Sequence, residues 1–222
     1  MLAQSVPDLK LQEERKKFIS KVEVFGGASL WLPNDHGWAD YQTKSSDHQL
    51  VSKFKSETGY QFGLGFTHVI SKRFELQGKV SKVRVHYSEL QRFFDVYGQP
   101  TSVSVFDQKN DQIVLSLIPS YFFSDKNRLH IFGGLSYSFL IRSMDYGIYS
   151  TGGHASINTI NAFEKHVINA LLGVGYCYPI NKKIEASLRV QGEYGLSDTL
   201  NGNGERISVN GISMSMAVRY FR

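Results

Sequence analysis

The stretch KIEASLRVQGEYGL, residues 183–196, divides its side chains between two faces. Ile184, Ala186, Leu188, Val190, Gly192, Tyr194 and Leu196 fall on one face, and Glu185, Ser187, Arg189, Gln191 and Glu193 on the other. A period of two belongs to an extended strand, because successive side chains of a pleated backbone point to opposite sides. The last segment repeats the pattern, with Ile212, Met214, Met216, Val218 and Tyr220 set against Ser213, Ser215, Ala217 and Arg219. Further apolar stripes run from Tyr60 to Phe66, from Leu129 to Ile141 and from Ile168 to Tyr178. Eight such segments are expected, at roughly 18–33, 56–71, 73–88, 111–124, 128–143, 165–179, 183–197 and 206–221.

The connectors alternate in length. Short ones lie at 71–73, 124–127 and 179–182, and long ones at 34–55, 89–110, 144–164 and 198–205. An even number of strands, each at least the ~9–11 residues that cross a bilayer, with short turns at one end and long loops at the other, describes an all-β, eight-stranded antiparallel up-and-down transmembrane barrel. The short turns are then periplasmic and the long loops extracellular. A lipocalin-like carrier of small ligands also alternates, but its apolar face lines an inner cavity. Here the polar face mixes paired charges with Gly and Ser, as a narrow lumen filled by side chains requires. Tyr178, Tyr194 and Tyr220 near strand ends fit an interfacial aromatic girdle. In the third segment Val83, Val85 and Tyr87 break the phase of Phe74, Leu76, Gly78 and Val80, so a bulge is expected near Ser81-Lys82.

Composition agrees and excludes other classes. With 41% hydrophobic and 20% charged residues the chain is too apolar to be disordered, and 13% aromatic residues with 20 Gly and only 5 Pro favour strands joined by turns. The single cysteine, Cys177, rules out an internal disulfide and any multi-cysteine metal centre. No run supplies the ~20 apolar residues of a membrane helix. The net charge of +5 is spread without a basic run, so nucleic acid is not an expected partner. Residues 1–17 stand apart: they lack the basic start and apolar stretch of a secretory signal, and LKLQEERKK (9–17) reads as a mobile leader or short surface helix before a barrel spanning 18–222.

The polar face carries Lys21, Glu23, Glu75, Lys79, Arg84, His86, His130, Arg142, Glu185, Arg189, Glu193 and Arg219. Inside a narrow barrel such charges have to pair, since an unpaired buried charge is very costly. Glu23, Glu75, Arg84, Arg142, Glu185, Arg189, Glu193 and Arg219, four of each sign, are therefore expected to form a lumen network that closes the pore. Asp35, His36, Asp40, Asp47 and His48 in the first long connector lack tight metal-ligand spacing and read as a solvated loop. Gly63-Leu64-Gly65 and Gly173-Val174-Gly175 sit inside strands with no following helix, so they are not phosphate loops. No cofactor is expected.

The blocks IVLSLIPSYFF (113–123), LHIFGGLSYSFLI (129–141), INALLGVGYCYPINKKIEASLRVQGEYGLSD (168–198) and ISMSMAVRYF (212–221) resemble the small outer-membrane barrel domains, PorT-like and OmpA-like, of Bacteroidota. The chain departs from the family's pattern at Gln191-Gly192-Glu193-Tyr194, where an Arg-Tyr start is commoner, and at Arg222 beyond the terminal aromatic. The resemblance implies an outer-membrane location in a Gram-negative bacterium, periplasmic termini, and a non-enzymatic accessory, anchoring or partner-binding part in an envelope complex such as a secretion or gliding machine. The last strand, with Met214, Met216, Val218, Tyr220 and Phe221, resembles the signal read by the barrel-assembly machinery. A second resemblance is narrower. His154-Ala155-Ser156, with Glu164 further on, is similar to the arrangement in eight-stranded lipid A deacylases, where His takes the Ser proton and a carboxylate orients the His. Ile157-Asn158 stands where that family has Asn-Ala, so a lipid A-modifying acyl hydrolase is the alternative reading.

Overall fold

Eight strands of one antiparallel sheet close into a ring, and three more extend it upward on one side. The computed structural model describes residues 20–35, 41–45, 48–95, 97–123, 128–149, 153–197 and 207–221. The ring runs β1 (Ser20–Asp35), β4 (Thr58–Val69), β5 (Phe74–Phe94), β6 (Pro100–Phe122), β7 (Leu129–Tyr149), β9 (His166–Pro179), β10 (Ile184–Gly195) and β11 (Ile207–Phe221), and closes where Val218 of β11 faces Val24 of β1. The expected eight-stranded up-and-down barrel is therefore present. Its lower turns are tight: Ile70 N–H donates to the Phe74 carbonyl at 3.0 Å, and Asn181 Oδ1 accepts from the Lys183 and Ile184 N–H groups at 2.8 and 2.9 Å. The leader, with His36, Asp40 and Asp47, lies outside the described residues.

The upper end departs from expectation. β5, β6 and β7 run for 21, 23 and 21 residues, roughly twice the bilayer-crossing length, and the long connectors are strand in large part. β2 (Tyr41–Ser45) pairs β3 (His48–Ser56), β3 pairs β5 above the end of β4, and β8 (His154–Asn158) pairs β7. β3 and β4 follow one another along β5 with an extra residue between them: Ser56 faces Tyr87 while Tyr60 faces Arg84, and Glu57 N–H donates to the His86 carbonyl. A raised wall of β2, β3, β5, β6, β7 and β8 thus stands above one side of the ring. Its β5–β6 tip turns at Asp95, whose Oδ1 accepts from the Tyr97 and Gln99 N–H groups, with Gly98 at φ 75° supplying the left-handed residue.

The outward face of the ring is apolar. Val24, Leu64, Val80, Leu117, Leu135, Leu172, Leu188 and Met216, one from each strand, are all exposed. On β6 the outward run Ile113 to Tyr121 covers ~26 Å of strand, which at a tilt of ~40° stands ~20 Å tall, close to the apolar band of a membrane barrel. Exposed Tyr121, Tyr178 and Tyr220 lie along the lower edge.

No bulge occurs at Ser81-Lys82. The β4–β5 register is unbroken from Tyr60–Arg84 to Val69–Glu75, and Glu75, Gln77, Lys79, Ser81, Val83, Val85 and Tyr87 are all buried in one phase. What changes along β5 is the content of the lumen, polar below and apolar above. The register breaks lie elsewhere, at Phe93/Phe94 and opposite Asp111/Gln112, where Ile141 of β7 is the extra residue.

Candidate functional site

The lower lumen is built around Glu23, whose carboxylate is fully buried. Alternation on β1 turns Glu23 inward, alternation on β10 and β11 turns Arg189 and Arg219 to meet it, and Lys79 arrives from β5. Arg189 donates to both Glu23 oxygens at 3.0 Å, Arg219 Nε donates to Oε2 at 2.8 Å, and Lys79 Nζ lies 3.4 Å from Oε1. Arg219 also donates to Glu185 at 3.1 Å and to Cys177 Sγ at 3.3 Å, and Lys21 pairs with Glu75. The His130 ring packs against that of Phe122 beside this network, with centroids 4.8 Å apart and planes tilted by 31°. With Glu193, four carboxylates meet Lys21, Lys79, Arg189 and Arg219 in the lumen, and the more exposed Arg128 reaches Glu185 at 3.7 Å, so no carboxylate lacks a cation to match it.

Above this plug the lumen is apolar. Trp31, Val83, Val85, Tyr87, Val114 and Val209 form a buried cluster, with Phe54 edge-on to Tyr87 at 6.0 Å. Between the two plugs, beside Lys79 and Glu193, a void of ≈ 20 Å³ is left, room for about one water. Trp31 fits because Gly211 has no side chain: a Cβ there would come within 2.6 Å of the indole. Gly211→Val is expected to cost about 1–3 kcal/mol in urea unfolding, through overpacking; an unchanged midpoint would mean that the ring is not held there. Over the mouth, Gln108 Nε2 donates to Ser143, Asn110 and Thr159, tying the segment between β8 and β9 onto the inside of the wall. Higher on β7, burial first and then the Glu89 and Asp107 charges push the Asp145 carboxyl up to about 6.

Two of the arginines expected in the lumen point outward. Arg84 alternates with the buried Val83 and Val85, and it forms a two-pronged pair with Asp111 on the outer face, at 2.7 and 2.8 Å. Arg142 is exposed because the extra residue Ile141 reverses the phase of β7: Leu140 is buried before it and Ser143 after it. Glu23, Glu75, Glu185, Arg189, Glu193 and Arg219 do come together inside, and Lys21 and Lys79 take the places the arginines leave.

On the outer face, Arg84, Asp111 and Arg142 stand in one row across β5, β6 and β7, and Lys82 lies one outward position below Arg84. The Arg84 hydrogen bonds, with the Lys82 and Arg142 charges, hold the Asp111 carboxyl below its usual range. In the next rows up, His86 and Lys109 both reach Asp107, and the Lys109 ammonium sits 4.8 Å over the Tyr146 ring.

His154 and Ser156 share the outer face of β8, opposite Ile148 and Tyr146, and both are exposed. Glu164 is not with them. Its neighbour Lys165 accepts a hydrogen bond from Leu140 N–H, so eight residues of β7, roughly 26 Å, separate that level from Ile148. The three are not assembled into a proton relay. Met214, Met216, Val218 and Tyr220 project outward from β11, and Phe221 lies beneath the Lys21 ammonium at 4.7 Å. Asp35 ends β1 and His48 begins β3, and no group of three or more His, Cys, Asp or Glu side chains is placed to hold a metal among the described residues.

No family model and no curated protein matches this chain. Among solved structures it is similar to the attachment invasion locus protein Ail of Yersinia pestis, at 10% identity over 91% of this chain and 99% of that one, with a TM-score of 0.44. It is also similar to Neisserial surface protein A, at 14% identity over 90% of this chain and 96% of that one (TM-score 0.44). A third similar structure is the outer-membrane protease OmpT of Escherichia coli, at 8% identity over 92% of this chain and 97% of that one (TM-score 0.46).

Proposed function

We propose that this protein is a non-enzymatic outer-membrane barrel that works through its outer surface and raised wall, as an anchoring or partner-binding component of a larger envelope complex. The observation that carries the reading is the closure of the lumen, charged below, apolar above and capped at the mouth. A barrel filled in this way has no passage to offer, so its work falls to its surfaces. The exposed apolar belt supports placement in the outer membrane of a Gram-negative bacterium, and the tight lower turns support periplasmic termini. Insertion there involves the barrel-assembly machinery reading β11. The resemblance to PorT-like and OmpA-like barrels favours secretion or gliding machinery as the complex.

The purified barrel is expected to give no stable conductance in planar bilayers and no sugar uptake into liposomes. Steady, ion-selective channels of uniform size would overturn the closed-lumen reading. Mild-detergent extracts of native membranes are expected to yield the chain with a stoichiometric protein companion; recovery as a free monomer would remove the partner-binding role.

A further inference from the structure

Every lumen carboxylate is matched by a cation without Arg84 and Arg142, and these two arginines stand on the outside. The outward apolar run ends at Val80 on β5, at Ile113 on β6, which faces Lys82, and at Ile141 on β7, the extra residue below Arg142. Immediately above it stand Lys82, Arg84, Asp111 and Arg142. Three cations against one carboxylate leave an excess of two positive charges (3 − 1) in a row only three strands wide. Asp111 is engaged bidentately by Arg84, which fixes that guanidinium against the wall and over the Tyr60 ring at 5.0 Å. Asp107, the next carboxylate up, is taken by Lys109 and His86 and does not offset the excess.

The bulge at Ile141 is the second observation. Were Ile141 paired in regular register with β6, β7 would keep its phase, and Arg142 would turn toward the lumen, which already holds a cation for each of its carboxylates. The irregularity re-aims one arginine to the outer surface at the level of its partners on β5 and β6. Guanidinium and ammonium groups at the rim of an apolar belt meet the headgroups of the surrounding lipid, and arginine binds phosphate oxygens through parallel hydrogen bonds.

We infer that Lys82, Arg84 and Arg142 form a docking row for the phosphate groups of a phosphorylated glycolipid in the outer leaflet, with Asp111 holding Arg84 in place between them. The inference rests on the membrane placement proposed above. The acyl chains of such a lipid lie down the apolar face of β5, β6 and β7 while its phosphates meet the row.

The test is a titration of the full chain, folded in neutral detergent micelles, with lipid A carrying both phosphates, followed by native mass spectrometry. Lys82→Gln with Arg142→Gln is expected to weaken binding roughly thirtyfold, the scale set by two cations beside an anionic lipid surface. Lys82→Arg with Arg142→Lys should restore it, and Lys72→Gln with Lys182→Gln, which removes the same charge from the lower turns at the other end of the barrel, should leave it unchanged. All three double variants leave the Arg84–Asp111 pair intact, and a heat-dependent mobility shift on gels reports that each is folded. Equal binding by wild type and the Lys82/Arg142 variant, or equal binding of dephosphorylated lipid A, would overturn the inference. Competition by inorganic phosphate at the lipid's own concentration would show a free-anion site and overturn it as well. A folded barrel indifferent to lipid phosphates removes only this row, whereas a chain that folds without detergent or lipid removes the membrane placement with it.

Discussion

Glu23→Gln is expected to destabilise the barrel by about 3–5 kcal/mol, the range for breaking a buried charge network by removing one partner. The side chain keeps its shape but loses its charge, and Arg189, Arg219 and Lys79 are then left around a neutral amide in a lumen that excludes bulk water. Arg189 would keep its bond to Gln77 Oε1 and Arg219 its bond to Glu185, so neither guanidinium is wholly stranded, but both lose their shared counter-charge. Urea unfolding in lipid vesicles measures the loss. Glu23→Asp, which keeps the charge on a shorter stem, should cost less. Adding Arg219→Gln to Glu23→Gln should recover part of the deficit, because it removes one of the stranded cations. A loss below about 1 kcal/mol, the size of a single hydrogen bond, would mean that lumen water solvates these charges.

The sequence showed the wall more fully than the lumen. Strict alternation in 183–196 located β10, both of its faces and the inward Glu185 and Arg189, because a strand wetted by lipid on one side and by packed charges on the other has to alternate. Arg84 was misplaced by a rule that holds only at membrane level. Above the belt the outer face is in water and the lumen is closed by Val83, Val85 and Tyr87, so apolar and polar sides exchange with no bulge at all. Arg142 could have been found. Apolar residues hold odd positions from Leu129 to Ile141 and even ones at Met144, Tyr146 and Ile148, and that change of parity marks the extra residue. β8 gave a weaker signal, since it is exposed on both faces and such a strand has no hydrophobic period. The β5–β6 hairpin was legible only in pieces, in the Asp95–Gly98 turn and the Val103 and Val105 pair. The Glu164 misfit was not legible, because spacing along the chain does not report the strand residues that separate Lys165 from His154.

Leu188→Arg should cost about 2–4 kcal/mol, and Gln191→Ser much less. Both lie on β10, three residues apart and on opposite faces. Leu188 is exposed near the middle of the apolar belt, between Tyr176 of β9 and Met216 of β11. An arginine there has to keep its charge in hydrocarbon or reach several residues to an interface, and the cost is greatest at mid-depth. Gln191 is buried in the lumen, where its amide donates to Glu193 Oε1 at 2.8 Å; serine gives up that single bond, worth about 1 kcal/mol, in an interior already lined by Ser213 and Ser215. Placing arginine at the outward positions Val190 and Tyr194 as well maps the depth, with the cost falling toward Tyr194 at the edge of the belt. The same series in a soluble carrier, with its outer face in water, would rank the other way: arginine at 188 would cost nothing. Equal effects of Leu188→Arg and Gln191→Ser would mean that the faces are reversed and that the chain does not cross a membrane.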